Sequence, residues 1–561
     1  MNVDMKKQIA YSLILIAALS SGCSDEFYDR SPISAETEES YYASIDNMES
    51  AVIGCYSQLG TVRIIDLNYV IGMGSITSDD ADMGGSDPYD TPDMQNLDKL
   101  LHSPEDETTI HEIWGYLYKG VYFCNMAIQK FPALKNGQIE EVQDMIDQRI
   151  GEVRFLRALY YFMLCKAYGG VVKLETPVQP SEFSNVSRST VKEVYELIER
   201  DLRYAISVLP EKSATDYKGR ATKGAAQALL AKLLVFESSY AVNYPGDLRF
   251  GEVEQRWEEA LYYAETVINS GQYRLVGIDG ERYNTYWSPE TNGYRYLFTA
   301  DGDNCDESIF EIQYVTTTDE WIQARGSALT QFTTVRKYIT SDGNTEDLGW
   351  GFHCPTRDLL HEFESGDPRI PTIFAREGDS ILVSIDESTI GWREVELSTS
   401  PTGMAFRKYE ASPSQFWLVK KSDNWAVGPV NVRLIRLADV YLLAAEAAYK
   451  SGDLEKARGY VNEVRKRARM CGEPDNTIPA NIEAQNFNFH DIISERRREL
   501  AGEGHRFWDL VRWRLAEQEL NGHMLGIGMA LHYISPKFDF FPIPTTEIDA
   551  TGGSLVQYEG W

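Results

Sequence analysis

Chemistry in this chain would have to come from its carboxylates and aromatic rings, because the other reactive residue types lack the spacing that reactions require. His111-Glu112 and His361-Glu362 are not followed by a second histidine one helical turn on, so neither builds a zinc-hydrolase site. No GxSxG elbow, Walker loop or CxxC pair occurs. Gly72-Met-Gly74 opens like a dinucleotide fingerprint but lacks the third glycine and the strand–helix frame. Asp301-Gly-Asp303-Asn304 begins like a calcium loop, yet the twelfth position, where a bidentate glutamate belongs, is Ile312. Six aspartates crowd one stretch, Asp79, Asp80, Asp82, Asp87, Asp90 and Asp93, which could hold a structural calcium or hydrogen-bond sugar hydroxyls. A solvated loop is the simpler reading, and no cofactor is expected. A glycosidase needs two carboxylates flanking one bond, and nothing in the spacing singles out such a pair. The chain reads as a non-enzyme.

The aromatic side is richer. There are 33 Tyr and 11 Trp against 8 His, a balance suited to stacking and packing rather than imidazole chemistry. Lys and Arg number 54 against 85 Asp and Glu, for a formal net charge of −31, which repels phosphate backbones and excludes nucleic acid as the main partner. A hydrophobic share of 43% excludes a largely disordered acidic chain.

Residues 1–22 read as an address. Lys6 and Lys7 precede an apolar run, Ile9 to Leu19, whose eleven residues are too short to span a bilayer but long enough for a secretory signal core. Small residues Ser20, Ser21 and Gly22 lead into Cys23, so the stretch resembles a lipoprotein signal with Cys23 as the lipidated residue. Leu19 stands four residues before the cysteine rather than three, a departure from the usual pattern. Several acyl chains on one cysteine give the multiple signals that stable anchoring needs. Residues 23–561 would then form an exported, tethered body. Of its other cysteines, Cys55, Cys124 and Cys165 fall on apolar helical positions and read as small core residues.

The elements that must position the aromatics are helical. Ile110, Trp114, Leu117, Val121, Cys124 and Ile128 form one stripe, and Ile146, Ile150, Val153, Leu156, Tyr160 and Leu164 another, stopping at Gly169-Gly170. Thr190 and Glu193 have the spacing of a capping box. Stretches 221–236, 255–269, 437–449 and 454–469 read as further helices, the last two packed as a pair about Gly452 with tetratricopeptide-like spacing of Tyr441, Ala444, Ala445, Ala457 and Val461. The expected fold is mostly α, an irregular tetratricopeptide-like scaffold over about 40–270 and 431–520. Between them, about 271–430 is loop-rich with short β-prone pieces, and holds six of the eleven tryptophans: Trp287, Trp321, Trp350, Trp392, Trp417 and Trp425.

Several stretches together resemble the SusD/RagB family of outer-membrane nutrient-binding lipoproteins of the Bacteroidetes. They are Glu152-Val-Arg-Phe-Leu-Arg-Ala-Leu-Tyr-Tyr-Phe162 with Tyr168-Gly-Gly-Val171, Asp306-Glu-Ser-Ile-Phe-Glu311 and Arg436-Leu-Ala-Asp-Val-Tyr-Leu-Leu-Ala-Ala-Glu446. The closing set is Ser494-Glu-Arg-Arg-Arg-Glu-Leu500, Glu503-Gly-His-Arg-Phe-Trp-Asp-Leu-Val-Arg512 and Phe541-Pro-Ile-Pro544. Ser24-Asp25-Glu26 resembles the family's surface-export signal. Physically these motifs read as scaffold, with Glu495 to Glu499, Arg506 and Asp509 forming a charged network that locks helices together; an anion site is the alternative.

The resemblance implies a cell-surface lipoprotein of the outer membrane, facing the exterior. It would capture a nutrient, most often an oligosaccharide, and deliver it to a SusC-type TonB-dependent transporter. It also implies a ligand platform in an early loop and the mid-chain loops. Asp82, Tyr89, Tyr286, Trp287, Tyr294 and Trp321 are the residues expected there. Sugar C–H faces stack on such rings while hydroxyls bond to polar side chains. The same scaffold capturing peptides or another nutrient, and a surface glycoside hydrolase, stay open as alternatives.

Overall fold

The computed structural model describes residues 41–561 apart from 107, 213–217, 317–325, 387–388 and 423–426. The leader, Cys23, Trp321 and Trp425 lie outside the described residues. The principal helices are α1 (Ile45–Ser57), α2 (Thr109–Lys130), α3 (Glu140–Tyr168), α4 (Val191–Val208), α5 (Lys223–Asn243), α6 (Trp257–Ile268), α7 (Leu437–Lys450), α8 (Leu454–Met470), α9 (Phe489–Glu499) and α10 (Arg506–Arg512). The protein is mostly helical.

Each helix from α2 to α8 packs on the next in the chain, and the series does not break at the long excursion: α6 packs directly on α7, although residues 269–436 intervene. The apolar stripes explain the stacking. Ile146, Ile150, Val153, Leu156, Tyr160 and Leu164 of α3 are all buried, as are Ile110, Trp114, Leu117, Val121 and Cys124 of α2, while Ile128 is half-buried. α4 starts where the capping box requires: the Glu193 N–H donates to Thr190 Oγ1 (3.3 Å) and the Thr190 N–H to Glu193 Oε2 (2.7 Å), which satisfies two otherwise free donors. Gly452 turns α7 into α8 with φ of +89°, a conformation that a β-carbon would oppose. α5 is long and apolar enough to cross a membrane by length and composition. It is instead a core helix, 89% buried.

Two features leave no trace in the apolar periodicity, and only the second is expected from the charged motifs. Ile64–Ile76 forms a wide π-type helix with every residue buried. A charged layer also fills the space between α7, α8 and α9. Arg436 uses all its donors there: Nε to Glu503 Oε2 (2.7 Å), Nη1 to Glu307 Oε1 (2.9 Å) and Glu499 Oε1 (2.7 Å), and Nη2 to the Glu499 carbonyl (2.8 Å) and Glu503 Oε1 (2.7 Å). Arg467 and Arg369 reach the same Glu499. Burial pushes the Glu499 carboxyl up, but the guanidinium groups of Arg467, Arg436 and Arg369 outweigh it and hold it below the usual carboxylate range. Beside this layer, Arg496 pairs with Asp439 and Asp509, and Arg512 holds Glu446 through two bonds of 2.7 Å. The run Glu495 to Glu499 is therefore a lock between helices. The cavity among Arg496, Arg497, Arg506 and Asp509 has about 10 Å³, room for at most one water and not for an anion.

Within 269–436 the strands are short. β1 (Arg282–Tyr283) pairs with β2 (Thr291–Asn292), and β3 (Ser308–Ile312) with β4 (Val432–Arg436). In the largest sheet β5 (Ser380–Ser384) pairs antiparallel with β6 (Ile390–Glu396), with Trp392 opposite Leu382. Alternation divides this hairpin: Ile381, Val383 and Val395 join a small separate core with Tyr338 and Ala405, which leaves Ile390 and Trp392 on the other face. Ile390 is exposed and so is Trp392, at 51%.

Candidate functional site

The loop between β1 and β2 carries Tyr286 and Trp287, and it is pinned by small hydroxyl side chains. The Thr285 N–H donates to the Ser288 carbonyl (3.0 Å), the Trp287 N–H to Thr285 Oγ1 (3.1 Å), and Thr291 Oγ1 to the Ser288 carbonyl (3.0 Å). Thus held, the Trp287 ring lies 4.7 Å from that of Tyr286 and 6.0 Å from that of Trp392, inclined by 43° and 35°. The Arg295 guanidinium sits 4.4 Å from the Trp287 ring centre, a cation–π contact that backs the cluster. Arg295 Nη1 donates to the Arg407 carbonyl (2.9 Å), and Arg407 Nε to Glu410 Oε2 (2.7 Å), so these charges are already engaged. Tyr286 donates its hydroxyl to the Glu410 carbonyl (3.3 Å), and burial pushes that phenol up.

Beside the rings opens a cleft of about 430 Å³ whose lining includes Asn284, Thr285, Asp301, Ser412, Ser414 and Gln415. Rings next to short polar side chains can stack on the face of a ligand and bond to its edge.

The other expected residues are placed differently. Tyr89 is 84% exposed, on a separate loop in which its N–H donates to Asp87 Oδ1 (2.8 Å). Tyr294, the second residue of the short helix Gly293–Tyr296, is wholly buried and donates to the Glu499 carbonyl (2.9 Å) in the charged layer. Asp82 is also buried, accepting from the Gly526 N–H at 2.5 Å, in a two-residue strand, Ala81–Asp82, paired with Cys354–Pro355. Burial raises its carboxyl to about 6, only partly offset by the Gly526 bond and His523.

The acidic stretch is accordingly not a solvated loop throughout: Asp79 accepts from Arg506 at 2.8 Å and Asp80 from Arg497 at 2.6 Å, both buried. Among the described residues no group of three or more His, Cys, Asp or Glu is placed to hold a metal ion. Sequence reasoning listed Trp392 among the loop tryptophans without choosing it. Its signal was the alternation Ile390, Trp392, Glu394 of a strand with one face outward. Gln415 carried no signal.

The SusD family model matches residues 306–561, and a second model, for starch-binding proteins associating with the outer membrane, matches residues 78–235. The chain belongs to the SusD/RagB family. A SusD-like protein of Bacteroides ovatus is 26% identical over 91% of this chain and 83% of its own length. The starch-binding protein SusD of Bacteroides thetaiotaomicron is 25% identical over 98% of both chains. Among solved structures, surface glycan-binding protein A from Bacteroides fluxus aligns with a TM-score of 0.72 at 24% identity, over 92% of this chain and all of that one. A SusD homologue from Bacteroides thetaiotaomicron aligns with a TM-score of 0.73 at 20% identity, over 95% of this chain and 99% of that one. The SusD/RagB family comprises outer-membrane glycan-binding proteins of the Bacteroidetes.

Proposed function

We propose that this SusD/RagB protein captures an oligosaccharide at the cell surface and passes it to a SusC-type TonB-dependent transporter, held to the outer membrane by lipid on Cys23. The excursion 269–436 is the ligand side and the helical stack its support. The observation that carries this reading is the Tyr286–Trp287–Trp392 cluster, whose Tyr286 lines a polar cleft and whose Trp392 is half open to solvent. Sugar rings stack on such faces, and the exposed Asn284 and Asp301 of the lining can bond to their hydroxyls. The starch-binding name of the Bacteroides thetaiotaomicron relative points to the same ligand class. Tyr89 is a second, separate contact in this proposal; Trp321 belongs to it by sequence alone.

The test is native affinity electrophoresis of a soluble chain beginning at Ser24, through gels containing starch, β-glucans, hemicelluloses, fructans, pectins or mucin glycans. Retardation in one gel, without loss of polymer and abolished by Trp287→Ala, is the expected result. Retardation in none, or retardation indifferent to Trp287→Ala, removes this site from glycan capture.

A further inference from the structure

Six cysteines lie among the described residues, and all six are free thiols in this structure. Two of them meet. Cys55 is on the last turn of α1 and Cys124 in the second half of α2, helices that pack directly on each other, and both side chains are wholly buried. Tyr160 of α3 fixes how they approach. Its hydroxyl donates to the Cys55 carbonyl (2.6 Å), and its ring fills the notch at Gly120, where a β-carbon would stand 2.5 Å from Cζ. Cys124 is one turn beyond Gly120 and so on the same face of α2. Its thiol lies within hydrogen-bonding reach of the Cys55 thiol. The other four sulfurs face different neighbours. Cys354 donates to the Gly351 carbonyl (3.5 Å), Cys471 packs on Gly277, Cys165 lies near Arg188, and Cys305 near Arg433.

We propose that Cys55 and Cys124 form a disulfide in the exported protein, a staple that ties α1 to α2 whatever the ligand is. A protein bound for the outer membrane crosses an oxidising compartment, where such bonds form and persist. The oxidant is a thiol–disulfide oxidoreductase in its disulfide form. One cysteine thiolate attacks that disulfide and displaces one oxidant thiol, leaving a mixed disulfide. The second cysteine thiolate then attacks the sulfur of the first, which forms the Cys55–Cys124 bond and releases the second oxidant thiol. The cysteines lose two electrons, the oxidant's disulfide gains them, and the two thiol protons end on the oxidant's sulfurs. Burial, with Cys55 beside it, raises the Cys124 thiol well above its ordinary value and keeps it protonated once the helices have closed. The exchange therefore belongs to folding, before α1 settles on α2, and the finished bond is shielded from reductants. It closes a loop of about 70 residues, long enough for closure to weigh on the unfolded chain. That loop contains the buried helix Ile64–Ile76 and Tyr89. The chain leading from Cys23 enters the described body at Tyr41 and runs into α1, so the staple holds the helix nearest the tether, where fraying is otherwise easiest.

The experiment counts thiols on the full-length protein, exported under its own leader and recovered from outer membranes into excess N-ethylmaleimide. The sample is unfolded in guanidinium chloride, and alkylated cysteines are counted by mass before and after reduction. Of the six described cysteines, the expected result is four alkylated before reduction and all six after it. A single reducible pair of peptides should join residue 55 to residue 124. Six alkylated cysteines before reduction, or a bridge between any other pair, overturns the proposal. This count is made on the parent and stands whether or not any variant folds. Thermal melts then test the staple. Cys55→Ala and Cys124→Ala each remove the whole bond, so each should lower the melting midpoint by about 3 °C or more. The double variant should fall no further than either single change, because the bond can be lost only once. Losses that add, or single variants that melt like the parent, mean that no staple holds α1 and overturn the proposal.

Discussion

Gly74 and Gly504 meet backbone to backbone: a β-carbon on Gly74 would stand 2.5 Å from the Gly504 carbonyl oxygen, and one on Gly504 2.5 Å from the Val70 carbonyl oxygen. This contact seats the buried π-type helix Ile64–Ile76 against the turn that precedes α10, and thereby brings Asp79 within reach of Arg506. Gly504 also has φ of +72°, which a side chain would oppose. Neither backbone can retreat as a side chain would. Gly74→Ala and Gly504→Ala are each expected to destabilise the fold by about 3 kcal/mol or more, at the upper end of overpacking costs. Urea titration followed by tryptophan fluorescence checks this; a midpoint equal to that of the parent for either variant would show that the crossing can open.

Glu499 gives the second prediction. It accepts from Arg436, Arg467 and Arg369 with its side chain wholly buried, so Glu499→Gln leaves three guanidinium groups facing a neutral amide. Breaking a buried ion pair in this way costs about 3–5 kcal/mol. Arg203 pairs with Glu199 and Glu259 at the surface, where it is 41% exposed, and Arg203→Ala should cost under about 1 kcal/mol. Denaturant midpoints of the two variants side by side would refute the argument if the surface change proved the larger.

Asp82 makes stability depend on pH in a stated direction. Its folded value of about 6 lies above the ordinary carboxylate value near 3.9, so the folded chain binds the proton more tightly than the unfolded one. The stabilisation that this proton supplies is present below about pH 4 and is lost as pH rises through 6. The difference of about 2 units corresponds to about 3 kcal/mol at neutral pH. Asp82→Asn keeps an acceptor for the Gly526 N–H without the charge, and should raise stability by about 2 kcal/mol at pH 7.5 and by almost nothing at pH 4. Glycan binding should be unchanged, since Asp82 lies in the scaffold. A gain that does not fall with pH would mean that something other than this carboxyl's ionisation is responsible.

What the sequence revealed follows from what leaves a periodic trace. The stripe from Ile146 to Leu164 and the capping box at Thr190 arise from local geometry, and both are found where expected. The charged run at 494–500 was legible as a lock because three consecutive arginines between glutamates on an apolar-backed helix need partners. Tyr294 and Asp82 were misplaced for the converse reason: no period tells whether a loop residue points outward, and long-range partners such as Glu499 and Gly526 decide it. Trp287 and Trp392 come together through two unrelated hairpins, so their proximity has no local signal at all.

That proximity yields the last prediction, which separates binding from stability. Trp392 is 51% exposed, so Trp392→Ala removes little buried surface and should change stability by no more than about 0.5 kcal/mol. It does remove an open ring face on which a sugar can stack, and a ring contact with the ligand contributes about 0.5–1.5 kcal/mol. Affinity for the retained glycan should therefore fall by about 2- to 12-fold. Tyr294→Phe should do the opposite: the lost bond to the Glu499 carbonyl costs about 1 kcal/mol of folding, with the glycan held as before. Calorimetric titration with the glycan that retards the parent, paired with thermal melts, reads both quantities on the same preparations. If Tyr294→Phe weakened binding more than Trp392→Ala, the ligand surface would have to lie over the charged layer rather than at the two tryptophans.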